Sequence, residues 1–375
     1  MRASGFLLPA YCNSTSEEKK GNNLKSRTER NSRFLLNRLA VCTAALLGVH
    51  SAALSASFST PTVFASGAAV HGTGADSVTY GGGSLWVEYG NAAPSTNFSG
   101  AGTIVQYSMT GTMQNQYTIA GSVDGLKYNP NTGLVWALQN QDANSQLTII
   151  NPATKATSTF TYSAAYTAIS GSRGFDDVAF LGNNVYLSLT NPNTASDPVL
   201  VKLDNSTPSS PITFSTVLTG NGLLLTDPDS LKSTPTGGLV ETGEGDGALT
   251  FITNPGQANQ TATSLKLVAA PGTTIGNPDD SIYPTASSGT FYLTDTGANV
   301  VYALSASGLS STSLYVDVGD EFGSVNPSTG VITPIMTGQS LHGIEFVAAV
   351  PEPSTIGIAL CGIALGLFAR RRRAR

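Results

Sequence analysis

Residues 176–190 read DDVAFLGNNVYLSLT. The stretch opens on an Asp, a polar residue and an aliphatic, passes through a Gly-Asn turn, and continues as an alternating run rich in β-branched and aromatic side chains. Short alternating runs bounded by Gly, Asn, Asp and Pro are strands joined by tight turns. The same order returns along the chain at Asp76-Ser77-Val78, Asp124-Gly125-Leu126, Asp229-Ser230-Leu231 and Asp280-Ser281-Ile282, and in divergent form at His342-Gly343-Ile344. Counting Asp176-Asp177-Val178 in its place, successive starts are 48, 52, 53, 51 and 62 residues apart.

Each of the first five starts is followed by a turn and a hydrophobic strand such as SLWVEYG, LVWALQN, NVYLSLT or TFYLTDTG, and usually by a third strand such as QLTIINP, PVLVKLD or ALTFITNP. A period of roughly 40–50 residues holding about four short strands predicts the blade of a β-propeller. One four-stranded sheet has two faces to bury and cannot bury both alone, whereas blades stacked around an axis can. The fold class is therefore all-β, a propeller of six blades, with five or seven as the alternatives. The last blade is expected from SLYVDVG, FGSVNP, VITPIMTG and HGIEFV, with an N-terminal strand near TVFASG closing the ring. The stretches NPNTG (129–133) and NPSTG (326–330) read as turns in which Gly supplies a positive φ. In general layout the repeat resembles NHL-like and YVTN-like propellers, without a diagnostic motif of either.

Composition agrees. Forty glycines and nineteen prolines among 375 residues, with 11% charged residues, mark a turn-rich β protein. Between residues 57 and 350 six basic side chains stand against twenty carboxylates, although the whole chain carries a formal charge of only −5. Such a surface, taken as a whole, repels phosphate backbones and is not drawn to anionic lipid, so nucleic acid is not an expected partner. The three cysteines, Cys12, Cys42 and Cys361, all lie outside that segment, which excludes a disulfide framework for it.

The two ends have a different character. A basic stretch up to Arg38 runs into LAVCTAALLGVHSAALSASFS (39–59), the order of a secretory signal peptide. At the other end Thr355–Ala369 is apolar and fifteen residues long, short of the roughly 20 that span a bilayer comfortably, and it is followed by Arg370, Arg371, Arg372 and Arg373. Four consecutive arginines suit a cytoplasmic membrane face and a stop to transfer. The chain thus divides into an N-terminal extension and signal peptide (1–56), a propeller domain (57–349) and a C-terminal segment (350–375).

That last segment, Pro351-Glu352-Pro353 followed by a short apolar run and a terminal Arg cluster, resembles the PEP-CTERM sorting signal of exosortase substrates. The resemblance implies export, transient inner-membrane anchoring through a single C-terminal helix, processing near Pro351, Glu352 and Pro353 by an exosortase-type membrane transpeptidase, and delivery to the cell surface or an exopolysaccharide matrix. Partners are then exopolysaccharide or other surface proteins. Two prolines hold Glu352 extended and accessible.

Chemistry is less legible. The repeated Asp places Asp76, Asp124, Asp176, Asp229 and Asp280 near one mouth of the channel, where carboxylates either accept hydrogen bonds from turn N–H groups and tie blades together or hold a hard cation. The repetition favours the structural role. A second acidic cluster, Glu241, Glu244 and Asp246, lacks the ligand order of a helix-loop-helix Ca²⁺ site and reads as a solvated loop. No Gly-x-Ser-x-Gly elbow is present, and His71 and His342 are the only histidines beyond the signal. No catalytic residue and no cofactor is expected, Ca²⁺ being the one ion these carboxylates suit. The expectation is an exported binding or scaffold domain rather than an enzyme; the alternative is a metal-assisted hydrolase or lactonase-like enzyme.

Overall fold

In the computed structural model, residues 55–163, 166, 173–269 and 276–350 are described. The expected signal-peptide core and the C-terminal sorting helix lie outside the described residues. Among the described residues no helix is long and apolar enough to cross a membrane.

The chain enters through β1 (Ser57–Phe58) and β2 (Thr62–Ser66) and one 3-10 turn, Gly67–Val70. Blade 1 is β3 (Ala75–Gly81), β4 (Ser84–Tyr89), β5 (Ala101–Ser108) and β6 (Met113–Ala120), and blade 2 is β7 (Val123–Asn129), β8 (Leu134–Gln139), β9 (Gln146–Ile150) and β10 (Thr157–Thr161). Blade 3 follows as β11 (Phe175–Leu181), β12 (Asn184–Leu189), β13 (Pro198–Leu203) and β14 (Phe214–Thr219). Blade 4 is β15 (Pro228–Ser233), β16 (Leu239–Gly243), β17 (Ala248–Thr253) and β18 (Thr261–Lys266). All four are antiparallel meanders, innermost strand first.

Blades 5 and 6 are interleaved. The inner strand of blade 5, β19 (Pro278–Ile282), is followed by β20 (Ser288–Asp295) and β21 (Val300–Ser307), which belong to blade 6. The chain then returns to complete blade 5 with β22 (Leu314–Val318), β23 (Glu321–Val325) and β24 (Ile332–Thr337), and ends in β25 (Leu341–Ala348), the inner strand of blade 6. Expecting SLYVDVG, FGSVNP and VITPIMTG in the sixth blade is corrected here: they form blade 5, and TFYLTDTG and NVVYALS form the middle of blade 6. The N-terminal strand does close the ring, since β1 and β2 both pair with β21 on the outside of blade 6.

Each inner strand touches the next in the order β3, β7, β11, β15, β19, β25 and back to β3, so six blades surround one axis. The hydrophobic core is correspondingly divided into six clusters, one at each blade interface. Trp86, Ile104 and Ile119 of blade 1, for example, pack on Leu126, Val135 and Ile150 of blade 2. Phe291, Leu304 and Phe346 of blade 6 pack on Tyr315, Phe322 and Met336 of blade 5. The two Asn-Pro turns behave alike: Asn129 and Asn326 each accept the N–H two residues on through Oδ1, and Gly133 and Gly330 close them at φ 72° and 71°.

The closing strand has a defined anchor. Phe64 of β2 lies edge-on to Tyr292 of blade 6 at 4.9 Å between ring centroids and reaches Tyr107 of blade 1 at 6.2 Å. Its neighbour Val63 is 60% exposed. Phe64→Ala should therefore cost about 2–3 kcal/mol by losing packing on both flanking blades, and Val63→Ala should stay within about 0.5 kcal/mol. Urea denaturation of the two variants checks this, and equal costs would mean that β2 is not a latch.

Candidate functional site: the carboxylate mouth

All six inner strands open with the same irregularity. In β3, Ala75 pairs with Tyr89 and Val78 with Val87, so Asp76 and Ser77 together stand opposite Glu88. The equivalent two-against-one step occurs at Asp124-Gly125, Asp176-Asp177, Asp229-Ser230, Asp279-Asp280 and His342-Gly343. This is a β-bulge, which breaks the pleat and re-aims side chains. Its first residue faces the channel mouth, and its second approaches the neighbouring blade. At Gly125 that approach leaves no room for a side chain, because a Cβ would lie 2.2 Å from the carbonyl oxygen of Asp176.

The ring at the mouth is therefore Asp76, Asp124, Asp176, Asp229, Asp279 and His342, all lining a cavity of about 430 Å³. Four of the five aspartates predicted from the repeat stand in it. Asp280 does not. It occupies the second bulge position, where its carboxylate accepts from Lys232 Nζ (2.7 Å), Ile344 N–H (2.8 Å) and Ser281 N–H (2.6 Å). Asp177 is its counterpart in blade 3, accepting from Lys127 Nζ (3.1 Å), Leu231 N–H (3.0 Å) and Val178 N–H (2.7 Å). The blade-tying role expected of the repeated Asp thus falls to Asp177 and Asp280, and the ring aspartates are differently engaged.

Two subgroups form within the ring. One carboxylate oxygen each from Asp124, Asp176 and Asp229 lie within 4.8 Å of one another. Asp176 is 7% exposed, and neither its Oδ1 nor Asp229 Oδ2 has a hydrogen-bond partner among the described residues. Burial, then the charges of Asp227 and Asp279, push the Asp176 carboxyl well above its ordinary range. Burial, then Asp279 and Asp176, do the same to Asp229.

The other subgroup is an ion triad, with His342 Nδ1 at 3.3 Å from both Asp76 Oδ1 and Asp279 Oδ1. Its hydrogen bonds to Asp279 and then Asp76 raise the imidazole to about 11, against an opposing burial effect. Burial raises the Asp279 carboxyl to about 7, although the His342 bond draws it down. Both groups hold protons more tightly folded than unfolded. Their contribution to stability is complete at low pH and declines as pH rises, through 7 for Asp279 and through 11 for His342.

The second acidic cluster does not converge. Glu241 is fully buried within β16 with both carboxylate oxygens unpartnered among the described residues, and burial raises its pKa. Glu244 reaches the mouth cavity. Asp246 turns away to accept the Thr226 N–H (2.7 Å) and hydroxyl (2.9 Å). His71 sits exposed in a left-handed turn at φ 56°. The ring member missed in the sequence, Asp279, was signalled by the doublet Asp279-Asp280, which matches Asp176-Asp177.

Beyond the ring, the chain leaves its last strand directly into a known signal. Residues 349–373 match the PEP-CTERM protein-sorting motif. No curated protein sequence matches the chain. Among solved structures it is similar to virginiamycin B lyase from Staphylococcus aureus, at 12% identity and a TM-score of 0.45, covering 78% of this chain and 94% of that one. A gluconolactonase from Xanthomonas campestris gives 11% identity and a TM-score of 0.43, covering 72% and 79%. A protein of unknown function from Bacteroides caccae gives 9% and 0.46, covering 73% and 87%. The protein is a six-bladed β-propeller carrying a PEP-CTERM sorting signal, which implies export and processing by an exosortase.

The ion triad makes a direct prediction. In chelator, ¹⁵N-histidine NMR should show His342 still carrying both ring protons at pH 8, and Asp279→Asn should lower its titration midpoint by at least about one unit through loss of the partner that contributes most to raising it. A midpoint near that of a free histidine in the unsubstituted protein would overturn the triad.

Proposed function

We propose that the protein is a cell-surface or exopolysaccharide-matrix binding module whose site is the carboxylate mouth, with Ca²⁺ held by Asp124, Asp176 and Asp229. The carrying observation is the convergence of these three carboxylates with buried, unpartnered oxygens on Asp176 and Asp229. Buried charges without partners are costly, and several like charges together more so. A hard divalent cation relieves both costs. Oxygen ligands lie about 2.3–2.6 Å from Ca²⁺, which sets their mutual spacing at no more than roughly 5 Å, a condition that oxygens lying within 4.8 Å of one another can meet. Ca²⁺ takes six to eight oxygens, so three carboxylates leave positions open towards the cavity, where sugar hydroxyls or carboxylates of a matrix polysaccharide complete the shell. The protein's part is to fix the carboxylates by the bulges and to keep the mouth open.

A metal-assisted hydrolase or lactonase-like activity is the second reading. The observation favouring it is His342, a protonated imidazole in the same cavity as the three carboxylates and so placed to donate a proton. Binding ranks first because both carboxylates sit on His342 Nδ1 and favour the protonated ring, which does not act as a base.

Full-length protein in mild detergent, stripped with chelator, should gain about 5 °C in Tm at Ca²⁺ a hundredfold above its dissociation constant, from roughly 2.7 kcal/mol of linkage. Asp176→Asn should raise the metal-free Tm, by removing one repelling charge, and abolish the Ca²⁺ response. Unchanged Tm with Ca²⁺ in the unsubstituted protein would overturn the cation site. Retention on native exopolysaccharide that needs Ca²⁺ favours the binding module, and turnover of a lactone that needs both Ca²⁺ and His342 favours the enzyme.

Sorting has its own test. Intact-mass analysis of the surface fraction from a native producer should give a species ending between Pro351 and Ser354, without Cys361 and the arginines. Full-length protein confined to the membrane would mean that the segment is a permanent anchor.

A further inference from the structure

The two faces of the propeller differ more than the repeat requires. Inner strands run from the carboxylate mouth to a second mouth, where a cavity of about 470 Å³ is lined by Tyr128, Tyr283, Pro130, Pro235 and Phe346. Charge follows the same division. Among the described residues, loops on the carboxylate-mouth side hold Asp142, Asp197, Asp227, Glu244, Asp246 and Asp320 against one cation, Arg173, whereas those on the other side hold only Asp204 and Lys155 among charged residues. Each chain end also leaves from the second side. β25 starts at the ring beside His342 and finishes at Ala348, and Ala349 N–H is bound to Ser288 O at 2.9 Å. In the same row of blade 6, Ser288 pairs with Ser307 and Ser307 with Ser57, the first residue of β1.

The interleaving of blades 5 and 6 decides where the sorting segment is attached. Because β25 is the inner strand of its blade, the chain departs beside the axis of the second mouth and not from the rim. Six residues, 349–354, separate β25 from the apolar run. Fully extended they reach about 20 Å, and the eight-residue β25 itself is about 26 Å long at ~3.3 Å per residue. To turn the carboxylate mouth towards the bilayer, this leash would have to cross half the second face and then climb the body. It is too short to do so.

We propose that, while the sorting segment lies in the membrane, the propeller stands with its second mouth on the lipid headgroups and its carboxylate mouth facing away. The partner is an anionic bilayer surface. The tyrosines and prolines of the second mouth suit an interface, where amphipathic rings are favoured. The carboxylate side is repelled by anionic headgroups and the second side, nearly free of carboxylates in its loops, is not. The candidate binding site therefore stays open to extracellular ligands before processing, and the chain leaves the propeller towards the Pro-Glu-Pro stretch from the opposite side.

Blade 3 supplies a paired test, because Asn183 lies in an exposed turn on the second side and Ala195 in an exposed loop on the carboxylate side. Asn183→Cys and Ala195→Cys are made separately in full-length protein whose Cys12, Cys42 and Cys361 are replaced by Ser. Each is labelled with a small fluorophore and inserted through the sorting segment into phosphatidylglycerol–phosphatidylethanolamine vesicles containing headgroup spin-labelled lipid. The label at 183 should be quenched roughly threefold more than that at 195, the two sites standing about a strand length of ~20 Å apart. Circular dichroism confirms that each variant is folded. Equal quenching, stronger quenching at 195, or quenching at neither site would overturn the proposal. Replacing phosphatidylglycerol by phosphatidylcholine should narrow the difference, and a larger difference in neutral lipid would remove the electrostatic part.

Discussion

One backbone feature organises this molecule: the bulge at the head of every inner strand. Setting two residues against one has two consequences at once. The first residue leaves the pleat and enters the channel mouth, and the second is pressed against the next blade. Where the second residue is Gly125, the blades meet backbone to backbone. Where it is Asp177 or Asp280, a carboxylate bridges to the next blade by accepting the N–H of Leu231 or Ile344. The same device therefore spaces the blades and builds the site, and a residue cannot be altered at one position without bearing on the other.

Closure is the second constraint. In a ring of sheets the first and last blades must be held together, and here this is done twice. The N-terminal β1 and β2 add the outer edge of blade 6, and the interleaved path makes blades 5 and 6 inseparable in the chain. Opening either one would expose Phe291, Tyr315, Phe322 and Phe346, which form a single aromatic group across the interface. Placing the C-terminal strand innermost follows from this path and makes the chain leave the last strand, at Ala348, beside the axis.

Much of this was legible in the sequence, and the parts that were not have physical reasons. The period could be read because each inner strand needs the same bulge, and a bulge in this chain prefers Asp followed by a small residue or a second Asp. The pattern points to Asp280 in place of Asp279 because the buried position that is Val78, Leu126, Val178 and Leu231 in earlier blades is Ser281 in blade 5, so the aliphatic appears one residue late at Ile282. The interleaving left only the long 62-residue interval as a trace, since a strand's alternation specifies its faces and not the sheet it joins. Glu241, Glu244 and Asp246 looked like a cluster because they lie within six residues, but a strand end and its hairpin turn point successive side chains apart.

Two layers of the channel answer their carboxylates differently. One step below the mouth, Asp177 and Asp280 are each matched by a lysine of the preceding blade, Lys127 and Lys232, at 3.1 and 2.7 Å. Burial disfavours the Lys232 charge, but Asp280 and Asp177 more than restore it, holding its pKa above the ordinary lysine value. That layer is neutralised from within. In the mouth layer, His342 answers Asp76 and Asp279, while Asp124, Asp176 and Asp229 converge with no cationic side chain bound to them in the hydrogen bonds and ion pairs of the described residues. Among the described residues the fold supplies buried lysines to one layer of carboxylates and none to these three. Burial and the neighbouring carboxylates instead push the Asp176 and Asp229 carboxyls well above their ordinary range.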